Sequence, residues 1–267
     1  MSELKIRTAL ITGASFGIGE AFARQLAAEG TNLVITARSL DRLEALAGEL
    51  RSKHGIEVNV IAADLDQASA PQQIFDETEG RGLQIDLLIN NAGFGAVGDF
   101  IDLTLDKQME MIRLNIDALV SLTWLFLQPM AERRAGAIMQ VASTAAFQGI
   151  PYFAVYAATK AFVLSFGDAL SSECGEYGVR VMTLCPGPTE SNFQTVAGTS
   201  NFKRGGRPVQ TAAEVVEIGL KALKDGQPVS VPGFANRLMV VAQRFIPRKM
   251  VIKFASGLYR SFSKRAQ

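Results

Sequence analysis

The sequence predicts an α/β fold: one doubly wound parallel sheet between two helix layers, in a single domain that ends in a C-terminal helical extension. Three observations carry this. Apolar, β-branched runs alternate along the chain with longer stretches of helical period. The apolar runs are continuous rather than alternating, so those strands are covered on both faces, as parallel strands are. A glycine-rich turn joins the first such run to the first helical stretch, in the manner of a βαβ unit.

In order, "RTALITG" reads as a strand and "GIGEAFARQLAAEG" as the helix after it. "TNLVITAR", "LDRLEALAGELRSKHG" and "IEVNVIAADLD" continue as strand, helix, strand. Four more strands follow in "IDLLINNAG", "GAIMQVAST", "GVRVMTLCPGP" and "QPVSVPG", with helices around 103–134, 156–176 and 211–225. That makes seven strands and about six helices, with no linker and no repeat of solenoid period. The one long polar, glycine-rich gap, "ESNFQTVAGTSNFKRGGRPVQ" at 190–210, is the candidate lid, because a loop that long inside a compact domain is usually a binding segment.

Composition narrows the function. The 267 residues are 48% hydrophobic and 20% charged, which suits one compact domain. Net charge is +1 but unevenly spread: no Asp or Glu follows Asp225, while eight Lys and Arg do. The body before the tail holds 19 basic against 26 acidic residues, a balance of −7 that argues against nucleic acid as a partner. Cys174 and Cys185 lack metal-ligand spacing and the single His54 follows a surface helix, so a structural metal, a disulfide framework and a serine–histidine hydrolase are not expected. The N-terminus runs into strand sequence without a secretory apolar region, and no apolar run reaches membrane-spanning length; the expected compartment is the cytoplasm.

The turn after the first strand is "TGASFGIG", Thr12 to Gly19. Its glycines permit a tight turn and close approach of backbone to a pyrophosphate at a helix N-terminus. Where the second strand ends, a carboxylate would accept from the ribose of NAD. The sequence there is "ITARS", with no acid and with Arg38, whose guanidinium fork suits a 2′-phosphate; NADP(H) is therefore expected over NAD(H). The alternative is a solvated arginine opening a loop, with Asp41 as helix-start material. Asp64 in "AADL" stands where it could accept from an adenine amino group or simply shape a turn.

"VYAATKAF" places Tyr156 and Lys160 one helical turn apart on the same face. By itself this is either an acid–base pair or a snorkelling lysine beside a capped tyrosine. "TGASFGIG", "NNAG" (Asn90 to Gly93), Asn115, Ser143, "YAATK" and "PGPT" (Pro186 to Thr189) occur together in an order and spacing that resembles the short-chain dehydrogenase/reductase family, over about residues 6–233. The resemblance implies a Rossmann-type fold. It also implies Tyr156 as proton donor or acceptor, Ser143 as ligand of the carbonyl oxygen, Lys160 as ribose ligand and tuner of the phenol, and Asn115 in a proton relay. The implied cofactor-binding set is Gly13, Ser15, Gly17, Ile18, Gly19, Arg38, Asp64, Asn91, Lys160, Pro186, Gly187 and Thr189, with no metal.

The chemistry is reasonable on its own terms. Hydride delivery to a carbonyl builds charge on oxygen, a nearby cation lowers the pKa of a phenol, and a hydroxyl at a strand end can donate to the developing oxyanion. The expected activity is NADP(H)-dependent interconversion of an apolar ketone or aldehyde and an alcohol. A cofactor-binding sensor or scaffold is the alternative, which has no need of a tuned phenol. Phe94, Phe147, Phe153, Phe193 and Phe202 either wall the substrate pocket or fill core and lid contacts, and Lys203 and Arg204 stand in the expected lid. The apolar helices at 103–134 and 156–176 suggest a homo-oligomer.

The extension, 234–267 after a catalytic domain of 1–233, carries Met250, Val251, Phe254, Leu258 and Phe262 at helical spacing, with Lys249, Lys253, Arg260 and Lys264 on other faces. A basic amphipathic helix of this kind covers its own acidic body near the lid, or lies on a partner or an anionic membrane surface. Covering the body is the expectation.

Overall fold

A computed structural model describes residues 4–190 and 209–260. The first half runs β1 (Thr8–Thr12), α1 (Gly17–Ala28), β2 (Asn32–Ala37), α2 (Leu40–His54), β3 (Val58–Ala62), α3 (Ala70–Glu77), β4 (Leu87–Asn90), α4 (Leu105–Ile112) and α5 (Ala118–Glu132). The second runs β5 (Gly136–Val141), α6 (Ala154–Glu173), β6 (Val179–Leu184), β7 (Thr189–Glu190), β8 (Gln210–Thr211), α7 (Ala212–Lys224), β9 (Val229–Ser230), α8 (Phe234–Ala242) and α9 (Arg248–Tyr259). Seven strands form one parallel sheet in the order β3-β2-β1-β4-β5-β6-β9. The strand order reverses between β1 and β4, which opens the crevice where ligands of such sheets bind.

The continuous apolar strands are covered on both faces. Along β1, Ala9 and Ile11 join Phe22 and Leu26 of α1 and Leu43 of α2, while Leu10 faces Ile74 of α3 and Phe126 of α5. Both layers are fully enclosed: Ile11, Phe22, Leu10 and Phe126 are each 0% exposed.

Two elements differ from the sequence reading. α3 was not expected, because its eight residues APQQIFDE bury only Ala70, Pro71 and Ile74, too few for a helical period to stand out. The helix expected around 103–134 is interrupted by a π-helical turn at Arg113–Asp117, which rotates Asn115 into the interior. The other helices form close to the expected limits. α7 opens on a reciprocal cap, the Thr211 hydroxyl accepting from the Glu214 N–H while the Glu214 carboxylate accepts from the Thr211 N–H.

β7 and β8 pair in parallel, Thr189 with Gln210 and Glu190 with Thr211, and in the chain they flank the segment 191–208. That segment, with Phe193, Phe202, Lys203 and Arg204 of the expected lid, lies outside the described residues, as do Phe262 and Lys264.

Candidate active site

The glycine-rich turn is braced from the neighbouring strand. The Thr12 hydroxyl accepts from the N–H groups of Asn91 and Ala92 at 3.0 and 2.9 Å, and the Asn91 amide donates to the carbonyls of Thr12 and Gly13 at 2.9 and 3.3 Å. Gly13 has φ +66, a left-handed conformation that favours glycine. At Gly19 a Cβ would strike the Gly13 carbonyl oxygen and stand 2.6 Å from the Asn91 amide nitrogen, so the first turn of α1 sits against the loop only without a side chain. Ser15, Gly17 and Ile18 are half-buried around the mouth of that turn. Phe16, the N-cap residue of α1, is extended and offers no side-chain cap, which leaves the N–H groups of the first turn for an anion. These features fit the pyrophosphate of a dinucleotide.

At the end of β2, the Arg38 side chain is 69% exposed and its closest carboxylate oxygen, of Glu110, is 4.0 Å away. Arg42, one helical turn on in α2, lies with its guanidinium 3.8 Å from the centre of the Phe16 ring. After β3 the Asp64 carboxylate accepts from the Asp66 N–H at 3.2 Å, so its turn-shaping role is realised. Asp66 in turn holds Arg113 through two contacts at 2.8 and 3.2 Å.

Ser143, Tyr156 and Lys160 converge behind the C-terminal ends of β4, β5 and β6. Ser143 follows β5, where its hydroxyl accepts from the Ala145 N–H at 3.1 Å and also hydrogen-bonds the Tyr156 phenol. Tyr156 and Lys160 share the buried face of α6, at 7% and 5% exposure. The Lys160 ammonium donates to the Val141 carbonyl at 2.8 Å, and its nitrogen lies 5.9 Å from the centre of the Tyr156 ring. An ammonium has three protons, so donors remain for a ribose. The Pro186 carbonyl accepts from the Thr144 N–H at 2.8 Å, tying the "PGPT" turn to the Ser143 turn, and the Thr189 hydroxyl donates to the Gly187 carbonyl at 2.9 Å.

Asn115 is fully buried and clamps three elements. Its side-chain oxygen accepts from the Phe94 N–H at 3.1 Å, and its amide donates to the Phe94 carbonyl and the Thr159 hydroxyl, each at 3.0 Å. It thus fixes the loop after β4 against α6. Asn90 of "NNAG" points elsewhere, into a buried network with Thr123 and Gln140 at 3.0 Å each.

Electrostatics differ from the simple expectation that Lys160 lowers the phenol pKa. Burial pushes the Tyr156 phenol above its ordinary value; the Ser143 hydrogen bond opposes this and Tyr259 adds to it. Burial also lowers Lys160, to about 8, with Cys185 opposing. The cation is aimed at the Val141 carbonyl and both groups are desolvated, so in this state burial outweighs their mutual effect. Burial thus favours the protonated phenol of Tyr156.

Phe94 and Phe153 belong to the buried cluster around Tyr156, together with Met111, Ala145 and Ile150, while Phe147 is half-buried against a separate cluster. The Phe153 ring stacks on Tyr156 with centres 4.3 Å apart and planes at 19°. Lys107 places its ammonium 4.2 Å from the centre of the Phe94 ring. Sequence reasoning missed Tyr259, on α9, whose ring lies 5.8 Å from that of Phe153. Its spacing of four and eight residues from Ala255 and Val251 was the only local signal. The extension does reach its own body: Ala255 is buried, and a Cβ at Gly149 would touch Ile252 at 3.9 Å.

Known proteins resemble this chain over most of its length. The family model described as short chain dehydrogenase matches residues 7–201. The chain is 32% identical to the 17-beta-hydroxysteroid dehydrogenase type 3 of Mus musculus over 266 residues, covering 96% of this chain and 85% of that protein. It is 32% identical to the very-long-chain 3-oxoacyl-CoA reductase of Anas platyrhynchos over 224 residues, 82% of this chain and 70% of that one. Among solved structures it is similar to a short-chain dehydrogenase from Sphingobium yanoikuyae in complex with NADPH, with a TM-score of 0.81, 30% identity, and coverage of 93% and 96%.

Proposed function

Because the chain belongs to the short-chain dehydrogenase/reductase family, whose members act on CH–OH or C=O groups with a nicotinamide cofactor, we propose that it is an NADP(H)-dependent reductase of large apolar ketones or aldehydes. The observation that carries this is the buried Tyr156 phenol, hydrogen-bonded to Ser143, one helical turn from Lys160 and stacked on an aromatic ring. Two relatives whose names specify a hydroxysteroid and a very-long-chain oxoacyl group agree with an apolar substrate. The missing carboxylate and the exposed rim position of Arg38 at the end of β2 favour a 2′-phosphate, and a similar structure holds NADPH.

The cofactor, when bound, supplies the hydride. In this reading Ser143 and Tyr156 hold the carbonyl oxygen between their hydroxyls, and the phenol passes its proton to that oxygen as charge develops there. Lys160 uses the donors left over from Val141 to orient the ribose. The uncapped N-terminus of α1 receives the pyrophosphate. Asn115 is a positioning residue that holds Phe94 and Thr159 on either side of the crevice. A phenol raised by burial suits reduction, in which the enzyme must begin with the proton in place. We also propose a homo-oligomer: Trp124 on α5 is 62% exposed and Phe162 on α6 is 39% exposed, aromatic surface suited to a second copy.

The test is a panel of carbonyl compounds followed by NADPH absorbance. Large apolar ketones should turn over with kcat/KM well above that of short polar ones, and NADPH should serve better than NADH. Absence of turnover across the panel, or preference for short polar carbonyls, would reject the reading.

A further inference from the structure

We propose that the outer face of the C-terminal extension is a docking surface for an anionic lipid bilayer, lying in its interfacial layer with the inner face still seated on the body. The apolar residues divide between two sides. Ala255, Ile252 and Tyr259 face the body, while Phe234 and Leu238 of α8, Phe245 after it, and Met250, Phe254 and Leu258 of α9 are exposed at 82, 57, 84, 61, 64 and 44%. Met250, Phe254 and Leu258 recur every four residues, so they form one stripe along α9, and Phe234 and Leu238 do the same on α8. Scattered exposed apolar residues need no explanation, but stripes of large ones along two consecutive helices do.

Charge selects the occupant. Arg237, Arg244, Arg248, Lys249, Lys253 and Arg260 are all exposed, and none forms an ion pair among the described residues. No acidic residue follows Asp225. A protein partner, including a second copy of this chain, would have to bury Lys249 and Lys253 beside the apolar stripe of α9, yet lysine is depleted in the cores of protein interfaces. A bilayer surface accepts the mixture: the apolar side chains enter the headgroup boundary while long basic side chains reach outward to anionic headgroups. No helix among the described residues is long and apolar enough to cross a membrane, and α8 and α9 have 9 and 12 residues. They can lie on a bilayer but not span it.

The experiment is sedimentation of the full-length protein with vesicles of phosphatidylcholine containing phosphatidylglycerol, against vesicles of phosphatidylcholine alone. Binding to the anionic vesicles should exceed binding to the neutral ones by about tenfold or more, since each cation near an anionic surface is worth roughly fivefold, and should fall at high salt. The double variant Phe245→Ser/Phe254→Ser should weaken vesicle binding by about tenfold or more, the transfer value of one large apolar side chain. Its melting temperature and its far-ultraviolet circular dichroism should stay those of the wild type, because both rings face solvent. Equal binding to the two vesicle types, no binding to either, or undiminished binding by the double variant would overturn the proposal. So would velocity sedimentation in which the double variant splits an oligomer while the wild type ignores vesicles, since the face would then belong to a second copy.

Discussion

In the strand-end crevice Asn115 and Lys160 are 0 and 5% exposed and both are hydrogen-bonded, whereas from Phe234 to Arg260 only Val240 and Ala255 are buried. Both regions are rich in aromatic and basic side chains, so composition does not separate them. What separates them is the number of neighbours that agree on one position for each group. Asn115 is held from the loop after β4 and from α6, and Tyr156 by Ser143 and the Phe153 ring. Such preorganisation suits chemistry, which tolerates little misplacement. The extension makes its contacts on one side only, meeting the body through Tyr259 at Phe153, Ile252 at Gly149 and Asn236 at Gly187.

The widest contrast should come from Tyr156→Phe. It removes the proton donor and almost no volume, so turnover should fall by roughly 10²–10⁴ with NADPH affinity little changed in a fluorescence titration. A variant with near-normal turnover would end the crevice's claim to be the reacting centre.

Lys160 tests how strongly burial governs the crevice. Its pKa is lowered in the folded state to about 8 from 10.5, so between those values the folded chain binds fewer protons than the unfolded chain. Stability therefore rises with pH across that window, and the cost of the buried ammonium is largest below about pH 8. The difference in unfolding free energy between Lys160→Met and wild type should shift in favour of the wild type by an amount on the order of 3 kcal/mol from pH 7 to pH 10. A pH-independent difference would mean that the ammonium is solvated after all.

Arg38 lies between the extremes, chemically specific but exposed at the rim. Arg38→Asp should weaken NADPH at least about tenfold and improve NADH relative to it, read from paired titrations. If the wild type binds NADH better, the arginine is only a solvated loop residue.

The smallest expected effect is at the junction. Tyr259→Ala should raise KM for an apolar carbonyl roughly threefold to tenfold through lost ring contact, leave NADPH affinity unchanged and lower the melting temperature slightly. Unchanged KM would separate the extension from the substrate altogether.

Much of the crevice could be read from local pattern. The "TGASFGIG" turn, the succession of strands and helices along the chain and the one-turn spacing of Tyr156 and Lys160 depend on residues close in sequence, and backbone geometry converts those spacings directly into shared faces. α3 escaped because it buries only Ala70, Pro71 and Ile74, too few to show a period, and the π turn at Arg113–Asp117 because the partners of Asn115, Phe94 and Thr159, lie far from it in sequence.

By itself, the sequence determined the parallel α/β class, the glycine turn, the shared helix face of Tyr156 and Lys160 and the basic, amphipathic character of the extension, since each is a matter of residue type at fixed short spacing, whereas Ser143 joined them only through the family resemblance. Only the tertiary structure decided that the Tyr156 phenol is raised rather than lowered, that Asn115 is a clamp, and that one side of α9 brings Tyr259 to Phe153 while the other faces solvent. The reason is that desolvation and contact depend on which distant segments fold over a group. No spacing along the chain encodes the depth at which a side chain comes to rest.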